Sequence, residues 1–270
     1  MASGPVEPLG ELRLIVHRSP LLARGRHTSE REEGEAIPVN TSAASAAPRS
    51  LLHLDSSHAK DSVSRRLTAL FAETWREVNG AAGYRYRNLA ADPVPLVSAA
   101  YCELGRRVER HGLVPPSKVA ALVEDAEEER EWALTLPLIE EVRDADTVLV
   151  GVPMYNFSVP ASLKAWIDRV TFPGAFIAPD TGEKVLDGTR LVVVTARGGA
   201  YGPGTPREAF DFQAPYLRAY FGNLGVTDIR FVHAEMTVAD VIPELARFRD
   251  LAAASLEEAR AAVTALAAVR

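Results

Sequence analysis

Cysteine is almost missing from this sequence, and long apolar runs are missing altogether. The one cysteine, Cys102, has no partner for a disulfide within the chain, and no paired Cys or Cys/His spacing suits a zinc ion. No apolar segment approaches the roughly 18–20 residues that a membrane helix needs. We therefore interpret Cys102 as an incidental core or helix residue, expect no metal and no membrane partner, and favour the reducing cytoplasm as the location.

An excess of basic charge is also missing, as are several well-known motifs. The 30 Lys and Arg residues are outnumbered by 36 Asp and Glu residues, which leaves a net charge of -6, and no basic cluster stands out. A nucleic-acid partner is therefore not expected. The motifs GxGxxG, GxxxxGK(S/T), GxSxG and HExxH are absent, which argues against a Rossmann dinucleotide site, a P-loop, a hydrolase elbow and a zinc-protease helix.

Residues 1–49 differ in composition from the rest of the chain. They contain five prolines, a charged stretch at 26–35, a Ser/Ala-rich stretch at 41–50 and only one short apolar run, at 12–16. A segment of this kind cannot bury enough apolar surface to order itself. We predict a disordered N-terminal extension over residues 1–49 and a folded domain over residues 50–270.

From residue 50 onward, short apolar runs alternate with amphipathic segments. A continuous β-branched run such as residues 147–152 is typical of a strand buried in a parallel sheet, whereas spacings of three and four residues between apolar side chains are typical of helices. The predicted strands are residues 51–54, 84–89, 147–152, 191–195 and 228–232. The predicted helices are residues 62–78, 117–143, 161–170, 207–224 and 241–269.

This alternation predicts an α/β fold of the flavodoxin-like type. Right-handed crossovers between the strands give a doubly wound five-stranded parallel sheet with helices on both faces, and the strand order 2-1-3-4-5 is favoured. Ligands of such sheets bind at the carboxyl ends of the strands, near the point where the strand order reverses. We therefore expect a site just after Leu54, Val152 and Thr195.

The loop after the first strand contains the hydroxyl groups expected of a phosphate site. Its candidate contacts are Ser57 and the start of the following helix, Ser62, Val63 and Ser64. The free N–H groups at a helix start and the helix dipole attract anions, and surrounding hydroxyls suit a terminal phosphomonoester. The alternative is that Ser62 or Ser64 merely caps the helix.

The loop after the third strand contains bulky side chains that need a flat partner. Met154, Tyr155 and Phe157 stand between strand and helix, and Asn156 adds an amide that can donate and accept hydrogen bonds. We predict that these four residues line a planar ring. The alternative is a hydrophobic loop that packs on its own domain or on a partner.

The loop after the fourth strand combines a cation with two glycines. Gly198 and Gly199 permit close backbone approach to a ligand, and Arg197 could balance negative charge there; Ala196 precedes them. The alternative is a flexible connector with a surface arginine. Together, the three loops predict a mononucleotide with a large planar ring, for which FMN is the natural candidate.

These residues resemble the FMN-dependent NADH-azoreductase family of the flavodoxin-like NAD(P)H quinone reductases. The resemblance spans about residues 51–269, and its most specific stretch is Pro-Met-Tyr-Asn-Phe at 153–157, continuing to Leu163 and Lys164. The other matching segments are Ser57 with residues 62–64, residues 88–95, residues 197–199, residues 215–217, Gly222 and residues 225–228.

The resemblance implies a homodimer with FMN near the subunit interface and ping-pong turnover. NADH or NADPH would give hydride to N5 of the flavin and leave, and a quinone or an aromatic azo compound would then receive two electrons. No side chain is expected to be an obligate catalyst. The chain departs from the family at four substrate-side residues, Ala175, Ile177, Ala178 and Asn223, and at Ala196, where a serine is usual.

Three other functions are compatible with parts of this pattern. A flavin-binding electron carrier or sensor without reductase turnover would need the same cofactor site. An NADPH-dependent reductase of quinones, metals or nitroaromatics would differ only in its substrates. A phospho-acceptor regulator would share the topology and use Asp55, but the acidic pair that such a regulator has beside this strand is missing.

Overall fold

A central parallel sheet organises the part of the chain that the computed structural model describes, residues 49–269. The strands are β1 (Leu51–Asp55), β2 (Tyr84–Asn88), β3 (Thr147–Pro153), β4 (Arg190–Ala196) and β5 (Asp228–Ala234). Their order in the sheet is β2-β1-β3-β4-β5, and every neighbouring pair is parallel. The predicted fold class and strand order are confirmed. The predicted disordered extension lies outside the described residues, except for Arg49.

Helices cover the sheet on both faces, as the crossovers require. They are α1 (Val63–Asn79), α2 (Ala99–Arg110), α3 (Pro116–Val119), α4 (Ala126–Arg143), α5 (Ala161–Val170), α6 (Ala214–Asn223) and α7 (Arg249–Ala267). The side chains of α1 and α7 pack together on one face of the sheet, around Phe71, Trp75 and Val263. The helices α2, α4, α5 and α6 build the larger core on the other face, around Trp166 and Ile139.

Two predicted helices are interrupted, each at a capping carboxylate. The helix predicted over residues 117–143 is the short α3, a 3-10 turn and then α4, because extended Asp125 accepts hydrogen bonds from the N–H groups of Glu127 and Glu128. The helix predicted over residues 207–224 starts as a 3-10 turn and restarts as α6. There Asp211 accepts hydrogen bonds from the N–H groups of Gln213 and Ala214.

The region between β2 and α4 contains a helix that the sequence pattern did not identify, α2. Ser98 caps it by accepting a hydrogen bond from the N–H of Tyr101, and Leu104 and Val108 are buried on its inner side. Cys102 lies in this helix and is exposed, so the interpretation as a helix residue holds and the interpretation as a core residue does not. The last predicted helix, 241–269, begins as a 3-10 turn over Pro243–Phe248 and becomes α7 only at Arg249.

Candidate functional site

The carboxyl end of β1 leads into a group of buried hydroxyls at the start of α1. Ser62 caps the helix: its Oγ accepts a hydrogen bond from the N–H of Arg65 at 3.2 Å and lies 3.1 Å from the Oγ of Ser64. Ser57, on the preceding loop, is also buried, and its Oγ accepts a hydrogen bond from the N–H of Ala59. Capping is therefore one role of Ser62. The hydroxyl of Ser64 bonds only to that of Ser62 within the described residues.

A buried carboxylate fixes the end of β1 beneath these hydroxyls. The two oxygens of Asp55 accept hydrogen bonds from the hydroxyls of Thr68, at 2.8 Å, and Tyr86, at 3.0 Å. Burial, followed by the charge of Asp55, raises the pKa of Tyr86 to about 12. A Cβ on Gly151 of β3 would lie 2.2 Å from Asp55 Oδ1, so a glycine is needed there. Asp55 is thus enclosed and fully bonded, which argues against a phospho-acceptor role.

Residues 155–158 form a tight hairpin after β3. Tyr155 and Ser158 exchange two backbone hydrogen bonds of 3.1 Å, and both central residues have positive φ, 48° at Asn156 and 71° at Phe157. Two positive φ values are typical of the type I′ turn, which usually has Asn and Gly at these positions. A phenylalanine is strained in this conformation, and such strain is often found at functional sites.

The hairpin contacts both neighbouring loops and still leaves its rings uncovered. The hydroxyl of Tyr155 accepts a hydrogen bond from the N–H of His58, at 3.2 Å, in the loop before α1. The ring of Phe157 lies 5.3 Å from that of Phe210. As whole residues, Tyr155 and Phe157 remain 37% and 40% exposed. Packing on its own domain therefore explains only part of this hairpin.

The guanidinium of Arg197 is buried and paired within the chain, whereas the sequence suggested that it would face a ligand. It is 1% exposed and contacts Asp211 at 3.0 Å, Glu235 at 3.4 Å and the amide oxygen of Gln213 at 3.2 Å. A buried cation requires such partners. The guanidinium therefore holds the turn that follows β4 in place, and a contact of Arg197 with a cofactor stays a prediction.

A cavity of about 880 Å³ opens at the carboxyl ends of β3, β4 and β5. Among the predicted site residues, it is lined by Met154, Asn156, Phe157, Gly198 and Gly199. Within the described residues, the N–H groups of the two glycines donate no hydrogen bond, so they are available to a ligand. The other predicted contacts do not line it. Tyr155, Ala196 and Arg197 are neighbours in the chain of lining residues, and Ser57, Ser62, Val63 and Ser64 lie after β1, in the loop and first turn of α1.

The far wall of the cavity was missed by sequence reasoning. It comes from the segment before α6, including Tyr201 and Arg207, and from the segment between β5 and α7, including Met236, Arg247 and Phe248. The end of β5 is also a strand's carboxyl end, and that rule could have identified the second segment. Four residues differ from the family's substrate-side pattern, and none of them lines the cavity: Ala175, Ile177, Ala178 and Asn223. Ala175 is buried in the core.

Residues 49–269 contain no cluster of three or more His, Cys, Asp or Glu side chains that could hold a metal ion. No helix in this part of the chain is both long and apolar enough to cross a membrane.

Comparison with known proteins identifies relatives along most of the chain. A family model described as the flavodoxin-like fold matches residues 49–259. A curated FMN-dependent NADH:quinone oxidoreductase of Nocardia farcinica is 45% identical over 200 residues, which cover 74% of this chain and 88% of that protein. Another of the same name, from Frankia casuarinae, is 41% identical over 220 residues, covering 81% and 99%.

Solved structures agree with the fold. An azoreductase from Bacillus anthracis superposes with a TM-score of 0.66 at 19% identity, covering 82% of this chain and 99% of that one. An FMN-dependent NADH-azoreductase of the same species, in complex with FMN, gives 0.62 at 21% identity, covering 80% and 99%. At these identities the likeness concerns the fold alone. With the family match and the curated relatives, the chain belongs to the family of FMN-dependent NADH:quinone oxidoreductases and has the flavodoxin-like fold.

Proposed function

We propose that this chain is an FMN-dependent oxidoreductase that transfers two electrons from NADH to quinones. The main support is the cavity that the hairpin after β3 and the turn at Gly198 and Gly199 line together. The hydrogen bond from the N–H of His58 to the hydroxyl of Tyr155 joins this hairpin to the loop before α1, where the serines lie. A phosphate at the serines and a planar ring in the cavity would be the two ends of one mononucleotide. The names of the two curated relatives support the same activity.

The start of α1 fits the phosphate end of FMN. Ser57, Ser62 and Ser64 offer three buried hydroxyls within one loop and helix turn. The N–H groups of Val63 and Ser64 lie in the first turn, where a helix provides no internal acceptor for them, and the helix dipole is positive there. These groups would hold a phosphomonoester without a metal ion.

The cavity fits the ring end. A volume of about 880 Å³ lies within the range of roughly 300–1,000 Å³ typical of small-molecule sites. Met154, Tyr155, Asn156 and Phe157 would position the ring and exclude water from it. The unpaired N–H groups of Gly198 and Gly199 would meet its polar edge, in the turn that Arg197 fixes.

Bound there, FMN would supply a ring able to take two electrons from NADH and to pass them to an acceptor. The chain's own part is to bind, orient and shield, and no side chain need act as an obligate acid, base or nucleophile. Because NADH and the acceptor both need the open side of the same cavity, we propose that they bind in turn, with ping-pong kinetics. Aromatic azo compounds are proposed as a second class of acceptor.

A homodimer in the cytoplasm completes the proposal. Phe210 and Phe212 are 49% and 58% exposed beside the hairpin, and the N–H of Phe212 donates a hydrogen bond to the carbonyl of Phe157. Exposed aromatic side chains grouped in this way favour a subunit contact next to the cavity. Sedimentation of the purified protein tests this, with Phe212→Asp expected to shift a dimer toward the monomer.

The activity is tested by the absorption spectrum of the purified protein, followed by anaerobic addition of NADH and then of menadione. We expect flavin bands that bleach with NADH and return with the quinone. A colourless protein that cannot be reconstituted with FMN would contradict the proposal. Bleaching by dithionite but not by NADH or NADPH would favour an electron carrier instead.

A further inference from the structure

The far wall of the cavity is positively charged in a chain whose net charge is negative. Two arginines, Arg207 and Arg247, line the cavity, whereas none of its lining residues is an Asp or Glu within the described range 49–269. The whole chain has a net charge of -6. The local sign is therefore opposite to the overall sign, which is the arrangement that concentrates anions in a cleft.

Both arginines are free of carboxylate partners in the described part of the chain. Arg207 Nη1 lies 3.5 Å from the hydroxyl of Tyr201, and the guanidinium of Arg247 lies 4.8 Å from the ring centre of Phe248. By contrast, neighbouring Arg249 pairs with Asp240 at 3.2 Å and Arg260 pairs with Glu257 at 2.9 Å, both outside the cavity lining. The charges of the two lining arginines are thus available to a ligand.

The surface between the two arginines is aliphatic and aromatic. From the end of β5 to the first turn of α7 it consists of Met236, Val238, Ile242, Leu245, Phe248 and Leu251. An apolar surface beside a guanidinium suits a planar aromatic ring that bears an anionic group, because the ring packs while the anion accepts charge-assisted hydrogen bonds. Apart from Arg247, the lining side chains of this segment carry no hydrogen-bonding group, so the segment suits the apolar faces of such a ring.

We propose that this wall binds acidic aromatic acceptors, such as sulfonated or carboxylated quinones, through Arg207 and Arg247. The inference rests on the proposed function and names the class of its acceptor. Arg207 stands at the boundary of the cofactor side, since its Nη1 would lie 3.4 Å from a Cβ on Gly199. An anion held there keeps its ring within the cavity that Gly198 and Gly199 also line.

The test compares two anthraquinones that differ in charge, the 2-sulfonate and the neutral 2-hydroxymethyl compound. Their dissociation constants are measured on oxidised holoenzyme by calorimetry at low and high salt. We expect R207Q/R247Q to weaken the binding of the sulfonate by about tenfold, equivalent to ~1.4 kcal/mol. The dissociation constant of the neutral compound should not change. R207K/R247K should keep most of the affinity for the sulfonate. Added salt should weaken the binding of the sulfonate and not that of the neutral compound.

A matched control removes two charges elsewhere: R106Q/R110Q lies on exposed positions of α2 and should bind both compounds like the parent protein. Equal loss of both compounds in R207Q/R247Q would overturn the proposal. So would a rise in KM for NADH alone, which would assign the arginines to the nucleotide. Bleaching by NADH is recorded separately, so that a parent protein that binds the sulfonate but is not bleached contradicts the proposed function and not this site.

Discussion

Two arginines close to this cavity have different roles. Arg197 directly follows β4 and looked like a ligand contact in the sequence, yet it is buried and paired with two carboxylates. Arg207, ten residues later, stands in a loop and has no carboxylate partner among residues 49–269. Burial decides the difference, because a guanidinium withdrawn from water needs anionic partners of its own.

A serine at the start of α1 provides the most selective test of the phosphate assignment. Ser64→Ala should weaken the binding of FMN by roughly 10- to 150-fold, which corresponds to the ~1.5–3 kcal/mol of a hydrogen bond to a charged group. Riboflavin, which lacks the phosphate, should bind this variant and the parent equally. Both affinities are measured by fluorescence titration of apoprotein. An equal loss for the two ligands would place the phosphate elsewhere.

The buried ion pairs of Arg197 predict that replacing this residue lowers the stability of the fold. Arg197→Met leaves Asp211 and Glu235 without their cation and should lower the free energy of unfolding by about 3 kcal/mol. Urea unfolding of the apoprotein measures this. Arg230→Gln, which breaks only the exposed pair with Asp228, is the control and should cost about 1 kcal/mol or less. A cost for Arg197→Met no larger than the control's would show that the pair contributes little.

At the scale of elements, strands were more predictable than helices. Runs such as residues 147–152 form the buried middle of the sheet, and a buried parallel strand is apolar along its length. Helix ends depend instead on single capping contacts, so Asp125 and Asp211 divided two predicted helices. Helix α2 was missed although Tyr101, Leu104 and Val108 follow helical spacing, because charged residues separate them.

The candidate site was predictable only on the side that follows β1, β3 and β4. The residue types of the hairpin and of the glycine turn indicated a planar ligand, and these segments do border one cavity. Part of the opposite wall comes from residues 236–251, and from residue 241 onward these were predicted to form the terminal Ala-rich helix. The pairing of Arg197 was not readable either, since Asp211 and Glu235 lie 14 and 38 residues away in sequence.

The hairpin turn should gain stability and lose function when its strain is removed. Phe157→Gly relieves a left-handed conformation that costs an L-residue about 1–2 kcal/mol. We expect the apoprotein to unfold at equal or higher urea concentration, while FMN binds more weakly because the ring contact is gone. Asn156→Gly is the matched control, with the same backbone class and a smaller loss of contact. Loss of stability without loss of FMN affinity would contradict a functional role for the strain.

For the whole molecule, the fold should become less stable in moderate acid. Burial, and then the charge of Arg197, lowers the pKa of His233 to about 4, below the ~6.5 of an unfolded histidine. Between these values the unfolded chain binds more protons, so stability is lost as the pH falls from about 6.5 towards 4. Urea unfolding at several pH values should show this loss, and His233→Gln should reduce it. An unchanged pH dependence in that variant would assign the effect to other groups.

The parallel sheet is what brings distant segments of the chain to one place. Crossovers on both faces set the carboxyl ends of β1, β3, β4 and β5 side by side, so that loops separated by about a hundred residues contact each other, as His58 and Tyr155 do. We propose that these loops share one FMN. A crystal structure of the FMN complex tests it most directly. We expect the phosphate at Ser57, Ser62 and Ser64 and the ring between the hairpin and the turn at Gly198 and Gly199. A flavin bound elsewhere, or one that touches only a single loop, would contradict it.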